Sequence, residues 1–449
     1  MSEHVIQRLP VDTGRSGWEA ISTRRTAMQS LAGDIHADWL IIGGGFAGLS
    51  AARRLSQLRP GEKIVVVEAK EIATGPAGRN SGFMIDVPHS LSSGEYSVAG
   101  AEATAFEIAQ NRLAIAFARS AAQEYGMSAR TFNPSGKINA SATARGVNMN
   151  ANYARSLGGI GEKFERFDAQ QMKEITGSAY YLDGLYTPGA VMIQPAQYIR
   201  DLAAGLAGKI ELYEHSPVMK LSRVGSHWRA TTPHGAVTAN KVILGVNGHI
   251  EDFGHFKGRL MHIFTYASMT KGFDDHTFGR PVAGHAHWAL LPADPMGATL
   301  RKITTDQGDS RIVIRTRFTY DPSIKVSAER VAKIAAEQRA SLDARYPALK
   351  SLPFENSWAG RLCLSLNSVP AFGEIEENLY SACCENGLGT VKSTLAGIMT
   401  AELATQTASD ALHKYRNQAN PKRIPPNPLA WMGINSVIRW QEYRAGKEG

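Results

Sequence analysis

The stretch DWLIIGGGFAGLSAARRLSQL, residues 38–58, decides the fold. Its apolar run 39–42 predicts a short strand that ends at glycines, and residues 47–58 have the spacing of a helix. A second β-branched run, residues 63–67, predicts another strand, which ends at Glu68. Strand, turn, helix and strand within about 30 residues predict a βαβ unit of the Rossmann type.

The glycine spacing of this unit indicates a dinucleotide site. In G-x-G-x-x-G the first glycine allows a tight turn, the second lets the backbone approach a pyrophosphate, and the third packs helix on strand. An acidic residue about 20 positions later binds the ribose hydroxyls. The predicted cofactor-binding residues of this unit are Gly43, Gly45, Phe46, Ala47, Gly48, Glu68 and Ala69. The alternative is a structural turn with Glu68 in solvent, and the motif alone does not separate FAD from NAD.

Composition predicts an ordinary soluble globular protein rather than a disordered, fibrous or membrane-embedded chain. The 449 residues are 43% hydrophobic and 20% charged, and this length predicts two domains. The net charge is +8, but the basic residues are scattered, so we expect no nucleic-acid partner. The positive excess would instead help to hold an anionic cofactor and attract a carboxylate-bearing substrate.

Cysteine usage and the absence of targeting signals indicate a cytoplasmic protein. Cys363, Cys383 and Cys384 are too few for a disulfide framework, and no Cys/His spacing predicts a metal site. The N-terminus lacks the layout of a signal peptide, and no stretch has the length of a membrane span, so we expect no integral membrane segment. The amphipathic segment 431–440 is predicted to dock on the protein body, with contact to a quinone-bearing membrane as the alternative.

Downstream motifs identify the nucleotide. The segment 77–83, Ala-Gly-Arg-Asn-Ser-Gly-Phe, resembles the signature of the D-amino-acid oxidase superfamily of flavoproteins, most closely the branch containing gamma-glutamylputrescine oxidases. This resemblance implies FAD, with backbone contacts from Arg79, Asn80, Ser81 and Gly82 beneath the isoalloxazine ring. The alternative is a polar loop with Arg79 in solvent.

Further blocks resemble the family in order and spacing over residues 36 to 445. The resemblance implies that the backbone of Val218 holds the adenine edge and that residues 242–248 pass the adenosine. It also implies that a C-terminal glycine turn and helix N-terminus face the flavin pyrimidine, where they stabilise negative charge on reduction. The cofactor-binding residues implied by these blocks are Val218, Asn247, Gly248, Gly387, Leu388, Gly389 and Thr390.

The resemblance also implies the architecture: an α/β protein with a Rossmann-type FAD-binding domain built from discontinuous segments, and an α+β substrate domain with a mainly antiparallel sheet. The corresponding division is 1–35 as an N-terminal arm; 36–100, 185–258 and 355–410 as the FAD-binding domain; 101–184 and 259–354 as the substrate domain; and 411–449 as a C-terminal extension that packs on the body.

The implied reaction is oxidation of the C–N bond of a small amine or amino acid, by hydride transfer to flavin N5 and hydrolysis of the imine. Dioxygen, or a quinone or protein, would accept the electrons. One alternative is a 2-hydroxy acid or polyol dehydrogenase, which needs a base such as His262 or His287 at the flavin face. Another is a non-catalytic flavin-binding subunit of a complex.

Four residues are candidates on the substrate side. Arg301 falls where relatives place an arginine suited to gripping a carboxylate; His262, His287 and Arg361 could shape the pocket or move a proton. In sarcosine oxidases a carboxylate-binding lysine follows the C-terminal glycine turn directly, whereas Lys392 is displaced by one residue, which puts that clamp in doubt. Cys363 is similarly displaced from a flavin attachment position, so we expect non-covalent FAD.

Overall fold

The computed structural model describes residues 2–23, 27–88, 98–275, 283–416 and 418–449. The helices are α1 (Gly17–Ala20), α2 (Phe46–Leu58), α3 (Val98–Glu124), α4 (Ala144–Gly159), α5 (Ala169–Thr176), α6 (Pro195–Gly205), α7 (Ala328–Arg345), α8 (Gly389–Ala404), α9 (Asp410–Arg416) and α10 (Leu429–Ala445). The first ten strands are β1 (Glu3–Val5), β2 (Gly33–Ile42), β3 (Ile64–Val67), β4 (Phe83–Met84), β5 (Phe132–Asn133), β6 (Lys137–Ser141), β7 (Glu165–Asp168), β8 (Asp183–Thr187), β9 (Val191–Ile193) and β10 (Glu211–Tyr213). The others are β11 (Lys220–Val224), β12 (His227–Thr232), β13 (Gly235–Leu244), β14 (Leu260–Thr270), β15 (Trp288–Pro292), β16 (Thr299–Thr304), β17 (Ser310–Tyr320), β18 (Phe354–Ser365), β19 (Ala371–Glu376) and β20 (Leu379–Cys383).

A nine-stranded sheet contains the predicted βαβ unit. Its strands β10, β3, β2, β13 and β20 are parallel neighbours, with Leu40 paired to both Val65 and Val242. Both faces of these strands are covered, which explains their continuous apolar runs. The first half of β13 also pairs with β12, and β11 and β1 extend the sheet on that side. The predicted strand, helix and strand of residues 38–68 are therefore confirmed.

An eight-stranded sheet forms the second layer. Its order is β18-β14-β17-β16-β15-β6-β8-β7, and every pair is antiparallel except β15 with β6. Strands β4, β9 and β5 form a separate three-stranded sheet, with β9 in the middle. The α/β fold with a mainly antiparallel second sheet is thus confirmed.

Strand pairing adds contacts that cross the division drawn from the sequence, which stays a prediction. β18 pairs with β14 along its length, so residues 354–365 lie in the antiparallel sheet, whereas the division puts residues 355–410 in the FAD-binding domain. β8 pairs with β6 and β7 in the same sheet, although residues from 185 were assigned to the FAD-binding domain. The arm also has structure of its own: β1 joins the nine-stranded sheet, and Trp18 of α1 is fully buried. These pairings join distant parts of the chain, which local patterns do not reveal.

The C-terminal helix α10 lies along β17, as expected for an extension that packs on the body. β16 pairs with β17 only as far as Arg315, so the rest of this edge of β17 needs other partners. The carboxylate of Glu442 accepts a hydrogen bond from the backbone N–H of Phe318, and the amide of Asn435 bonds both the N–H and the carbonyl of Tyr320. No helix in the described part of the chain is long and apolar enough to cross a membrane.

Candidate cofactor and substrate site

A cavity of about 810 Å³ is lined by residues of both large sheets. The predicted residues that line it are Gly43, Gly45, Phe46, Ala47, Glu68, Ala69, Arg79, Asn80, Ser81, Val218, Asn247, Gly248, Gly387, Leu388, Gly389, Thr390, His262 and Arg361. Gly48, Gly82, Arg301 and His287 are not among the lining residues. The fold therefore gathers segments more than 300 residues apart around one space.

The glycines of the first turn have the three geometries that the motif requires. Gly43 has φ 106°, and a Cβ there would be 2.6 Å from the carbonyl oxygen of Gly245. A Cβ on Gly48 would be 1.9 Å from the Gly43 oxygen, so this glycine serves helix packing. Gly45, in contrast, has only Ala77 Cβ within reach, at 3.7 Å, on the cavity side of the turn. Open space at the second glycine fits a bound pyrophosphate.

The N-terminus of α2 can hold the phosphate charge. Its N-cap is Gly45, and no side chain caps the first turn, so the backbone N–H groups there point toward the cavity without a side-chain acceptor. Such a helix end binds anions. Glu68 lies beside it and accepts hydrogen bonds from the N–H groups of Gly44 (2.8 Å) and Lys70 (3.0 Å). Burial raises the pKa of Glu68 despite these bonds.

The loop of residues 79–83 is held from behind by arginine side chains. The Arg79 guanidinium donates to the carbonyls of Thr74 (2.7 Å), Thr13 (3.1 Å) and Ala359 (3.2 Å), and also to that of Gly14. It is buried, so the alternative of a solvent-exposed Arg79 is wrong. The side-chain oxygen of Asn80 accepts a hydrogen bond from the Gly82 N–H in the same loop. The backbone of the loop therefore faces the cavity while its side chains anchor it.

Arg301 belongs to this anchoring and not to the substrate pocket. Its Nη1 donates to the carbonyls of Ser81 (2.9 Å), Gly82 (3.2 Å) and Ile193 (2.7 Å). The guanidinium lies over the ring of Trp18, 4.9 Å from its centroid, and burial lowers its pKa to about 9. Arg301 thus lies behind the loop 79–83, bonded to backbone carbonyls, and is not among the residues that line the cavity.

The two predicted histidines differ in position. His262 is buried and lines the cavity, and its Nε2 lies 2.7 Å from the Glu251 carboxylate; a Cβ on Gly248 would be 2.8 Å from its Nδ1. His287 is exposed and outside the cavity. A role for His287 at the flavin face is therefore not supported by its place in the fold.

Arg361 is one member of a buried polar chain at the cavity wall. Its Nη1 donates to His249 Nε2 at 2.6 Å, and its Nη2 lies 3.1 Å from the Asp12 carboxylate. His249 Nδ1 in turn contacts Asp252 at 3.1 Å, and burial lowers the pKa of His249, which favours the neutral ring that accepts from Arg361. The buried Nε of Arg361 has no hydrogen-bond partner among the described residues.

The C-terminal glycine turn brings a second helix end to the cavity. Gly387 has φ 96°, and α8 begins without a side-chain cap at Leu388. Thr390 Oγ1 donates a hydrogen bond to the carbonyl of Phe83 at 2.5 Å, which connects this turn to the loop 79–83. Val391 is fully buried, and Lys392 lines the cavity with its Nζ 3.0 Å from the Glu107 carboxylate. The displaced lysine is thus held by an ion pair.

Among the lining residues that the motif analysis did not assign to the site, Arg315 and Glu385 have buried polar atoms without a partner. Arg315 of β17 lines the cavity, and its Nη1 lacks a hydrogen-bond partner among the described residues; burial lowers its pKa to about 10. Glu385 is buried two residues after the end of β20, and its Oε1 also lacks a hydrogen-bond partner among the described residues. Burial raises the pKa of its carboxyl to about 7. The signal for Arg315 was a charged residue ending the apolar run 312–314.

Comparisons with known proteins agree with this geometry. Residues 38–403 match the family model described as DAO, FAD dependent oxidoreductase. The chain is 25% identical over 429 residues to a probable oxidoreductase OrdL of Rhizobium meliloti, covering 92% of this chain and 94% of that protein. It is 25% identical over 407 residues to a gamma-glutamylputrescine oxidoreductase of Escherichia coli, covering 86% and 88%.

The fold is that of a solved flavoprotein oxidase. The crystal structure of glycine oxidase from Geobacillus kaustophilus superposes with a TM-score of 0.68 at 17% identity, covering 87% of this chain and all of that one. The resemblance of the sequence motifs to the D-amino-acid oxidase superfamily is confirmed. The chain belongs to the DAO family of FAD-dependent oxidoreductases and is an enzyme that uses FAD.

Proposed function

We propose that this enzyme oxidises the C–N bond of a small amine or amino acid that carries an anionic group. Relatives named for amine and amino-acid substrates support the reaction class. Bound FAD supplies the acceptor for the hydride, at N5, and the imine product hydrolyses in water. The residues of the chain bind and orient the two molecules.

The single observation that supports an anionic group on the substrate is the environment of Arg315. Its guanidinium is desolvated and has no carboxylate partner among the described residues, which favours an anion beside it, and Arg315 lines the cavity. A substrate carboxylate can accept two parallel hydrogen bonds from it. Phe318 lies under the same guanidinium, 5.1 Å from centroid to Cζ, and limits its rotation.

The cofactor is held by the elements that line the rest of the cavity. The two uncapped helix ends at Gly45 and Leu388 and the loop 79–83 would contact its phosphates and flavin ring. We propose that the attachment is non-covalent. Cys363 lines the cavity, but a hydrogen bond with Cys384 and burial raise the pKa of its thiol well above the usual range. A thiol kept protonated is a poor nucleophile.

Two alternatives from other classes remain testable. A 2-hydroxy acid or polyol dehydrogenase needs a free base at the flavin face, whereas His262 is already bonded to Glu251. A non-catalytic flavin-binding subunit would keep FAD without reducing it. Because its three cysteines are free and buried, we propose that the protein is cytoplasmic. For the electron acceptor we propose dioxygen, or a quinone or protein.

Anaerobic bleaching of the flavin absorption tests the proposal. The holoenzyme is mixed with matched sets of amines, amino acids and hydroxy acids, each with and without a carboxylate. We expect bleaching by amines or amino acids, fastest for those with the carboxylate. Bleaching by hydroxy acids alone would establish the dehydrogenase, and a flavin that no member of the panel reduces would favour the non-catalytic subunit. Admitting dioxygen or a quinone afterwards identifies the acceptor.

A further inference from the structure

Three potential metal ligands meet at the edge of the nine-stranded sheet, away from the cavity. They are His4 on β1, His255 in the loop that precedes β14, and Glu376 at the end of β19. One ligand atom from each lies within 4.8 Å of the other two. Their side chains are 14%, 15% and 25% exposed, so the cluster is partly buried and still open to solvent.

The two imidazoles converge on one carboxylate oxygen. His4 Nε2 lies 2.8 Å and His255 Nε2 lies 3.3 Å from Glu376 Oε1, and the ring centroids are 4.9 Å apart. The His255 contact lacks hydrogen-bond geometry, so this buried nitrogen has no hydrogen-bond partner among the described residues. A buried imidazole nitrogen that has no hydrogen-bond partner and lies beside a carboxylate and a second imidazole needs an explanation, and a bound cation supplies one.

The surroundings hold the rings in place. His4 faces Gly254, where a Cβ would be 2.6 Å from Nδ1, and the φ of Gly254 is 93°. Its other side is stacked with Trp228 at 6.4 Å between centroids. Glu376 is oriented through its second oxygen, which accepts a hydrogen bond of 2.5 Å from Ser2 Oγ. The ligand set is therefore supported by neighbouring groups, as metal sites require.

We propose that His4, His255 and Glu376 bind one divalent transition-metal ion, with zinc the best fit. Two nitrogen ligands disfavour calcium and magnesium, which prefer oxygen. Tetrahedral zinc, with metal–ligand distances of about 2.0–2.2 Å, sets neighbouring ligand atoms about 3.3 Å apart. The observed separations need only small side-chain movements to reach this value. The fourth position is left to water.

The metal would fix the segment that closes the cofactor cavity. Ile6, Arg8, Leu9, Pro10 and Asp12 follow His4 directly in the chain and all line that cavity. β1 has only three residues, paired with β11, so its own hydrogen bonds hold the segment weakly. A metal that joins β1 to β19 and to the His255 loop therefore slows release of FAD.

Calorimetric titration of the full-length holoenzyme, made without a polyhistidine tag and stripped with a chelator, tests the site with Zn²⁺. We expect one equivalent to bind, and binding to weaken by more than about 10-fold in His255→Ala and Glu376→Gln. His285→Ala, which removes an exposed histidine elsewhere, should bind like the wild type. Equal binding by the wild type and His255→Ala would overturn the proposal.

FAD release provides a second readout, and its main comparison, with and without Zn²⁺, is made on the wild type. The rate of flavin fluorescence recovery is measured on stripped protein with and without Zn²⁺. A several-fold slower release with Zn²⁺ is expected, and it should be absent in Glu376→Gln. Release at the same rate in both conditions would overturn the link between the metal and the cofactor.

Discussion

At the scale of single residues, burial decides what Arg315 and Arg301 do. Both are desolvated arginines on neighbouring strands of one sheet. Three carbonyls satisfy Arg301, so it stabilises the fold behind the flavin loop. Arg315 lines the cavity and its buried Nη1 has no hydrogen-bond partner among the described residues, so we propose it as the one of the two that binds a substrate anion.

Arg315→Met is expected to raise the KM for an anionic substrate by about 10- to 100-fold, because a hydrogen bond to a charged group contributes about 1.5–3 kcal/mol. The KM for neutral amines should change little. Steady-state kinetics with a carboxylate-bearing substrate and its decarboxylated analogue measures the difference. Arg311→Met on the same strand, which pairs with Asp309 outside the cavity, is the control. Equal losses for both substrates would contradict the assignment.

Glu385 should make FAD binding depend on pH. Because burial raises its pKa to about 7, the carboxyl is neutral below pH 7 and carries a negative charge above it. That charge repels the anionic cofactor, so the Kd for FAD should increase several-fold between pH 6 and pH 8. Glu385→Gln should remove the increase. Fluorescence titration of FAD at both pH values measures it; an unchanged pH dependence in the variant would show that another group is responsible.

At the scale of elements, α10 completes a strand edge. Asn435 bonds both the N–H and the carbonyl of Tyr320, as a neighbouring strand would, where β16 has ended. Exposed strand edges are prone to pairing with other chains. The helix therefore protects the edge of β17 from pairing with other chains, and it also buries apolar surface. The amphipathic pattern of residues 431–440 predicted only the burial of apolar surface.

Asn435→Leu should lower the free energy of unfolding by about 1–3 kcal/mol, because two buried backbone groups lose their partner. Thermal unfolding followed by circular dichroism measures this, and light scattering checks for aggregation through the freed edge. Gln441→Leu, at an exposed position of the same helix, is the matched control. A variant as stable as this control would mean that water replaces the amide.

Local elements were predictable from sequence, and long-range pairing was not. The βαβ unit and α7, whose N-cap Ser327 accepts from the Arg330 N–H, follow from periodicity and capping within a short window. The pairing of β18 was not predictable because its partner β14 lies almost 100 residues earlier, with Phe264 opposite Arg361. The histidines of the proposed metal site are likewise distant from one another and from Glu376 in the sequence.

At the scale of the whole molecule, the site is assembled where two sheets meet. The glycine motif was predictable because each glycine has a local steric reason, as Gly43 and Gly48 show. Which of the two arginines lines the cavity was not predictable, since Arg301 and Arg315 lie on adjacent strands and only their packing separates them.

Arg301→Met should therefore give the opposite result to Arg315→Met. Three buried carbonyls lose their donor, so we expect a lower Tm and a weaker affinity for FAD, with the KM for substrate nearly unchanged in the flavin-loaded fraction. Thermal unfolding, FAD titration and kinetics on the same preparation measure the three quantities. A raised KM with normal FAD affinity would return Arg301 to the substrate pocket.

The position of Arg301 also limits how the enzyme can move. Its strand belongs to the eight-stranded sheet, while its hydrogen bonds are made to the flavin loop and to β9. A motion that separated the eight-stranded sheet from the loop 79–83 and β9 would break all of these bonds together. Substrate must then enter through local side-chain movements at the cavity mouth, and the scattering profile of the enzyme in solution should be the same before and after substrate binds.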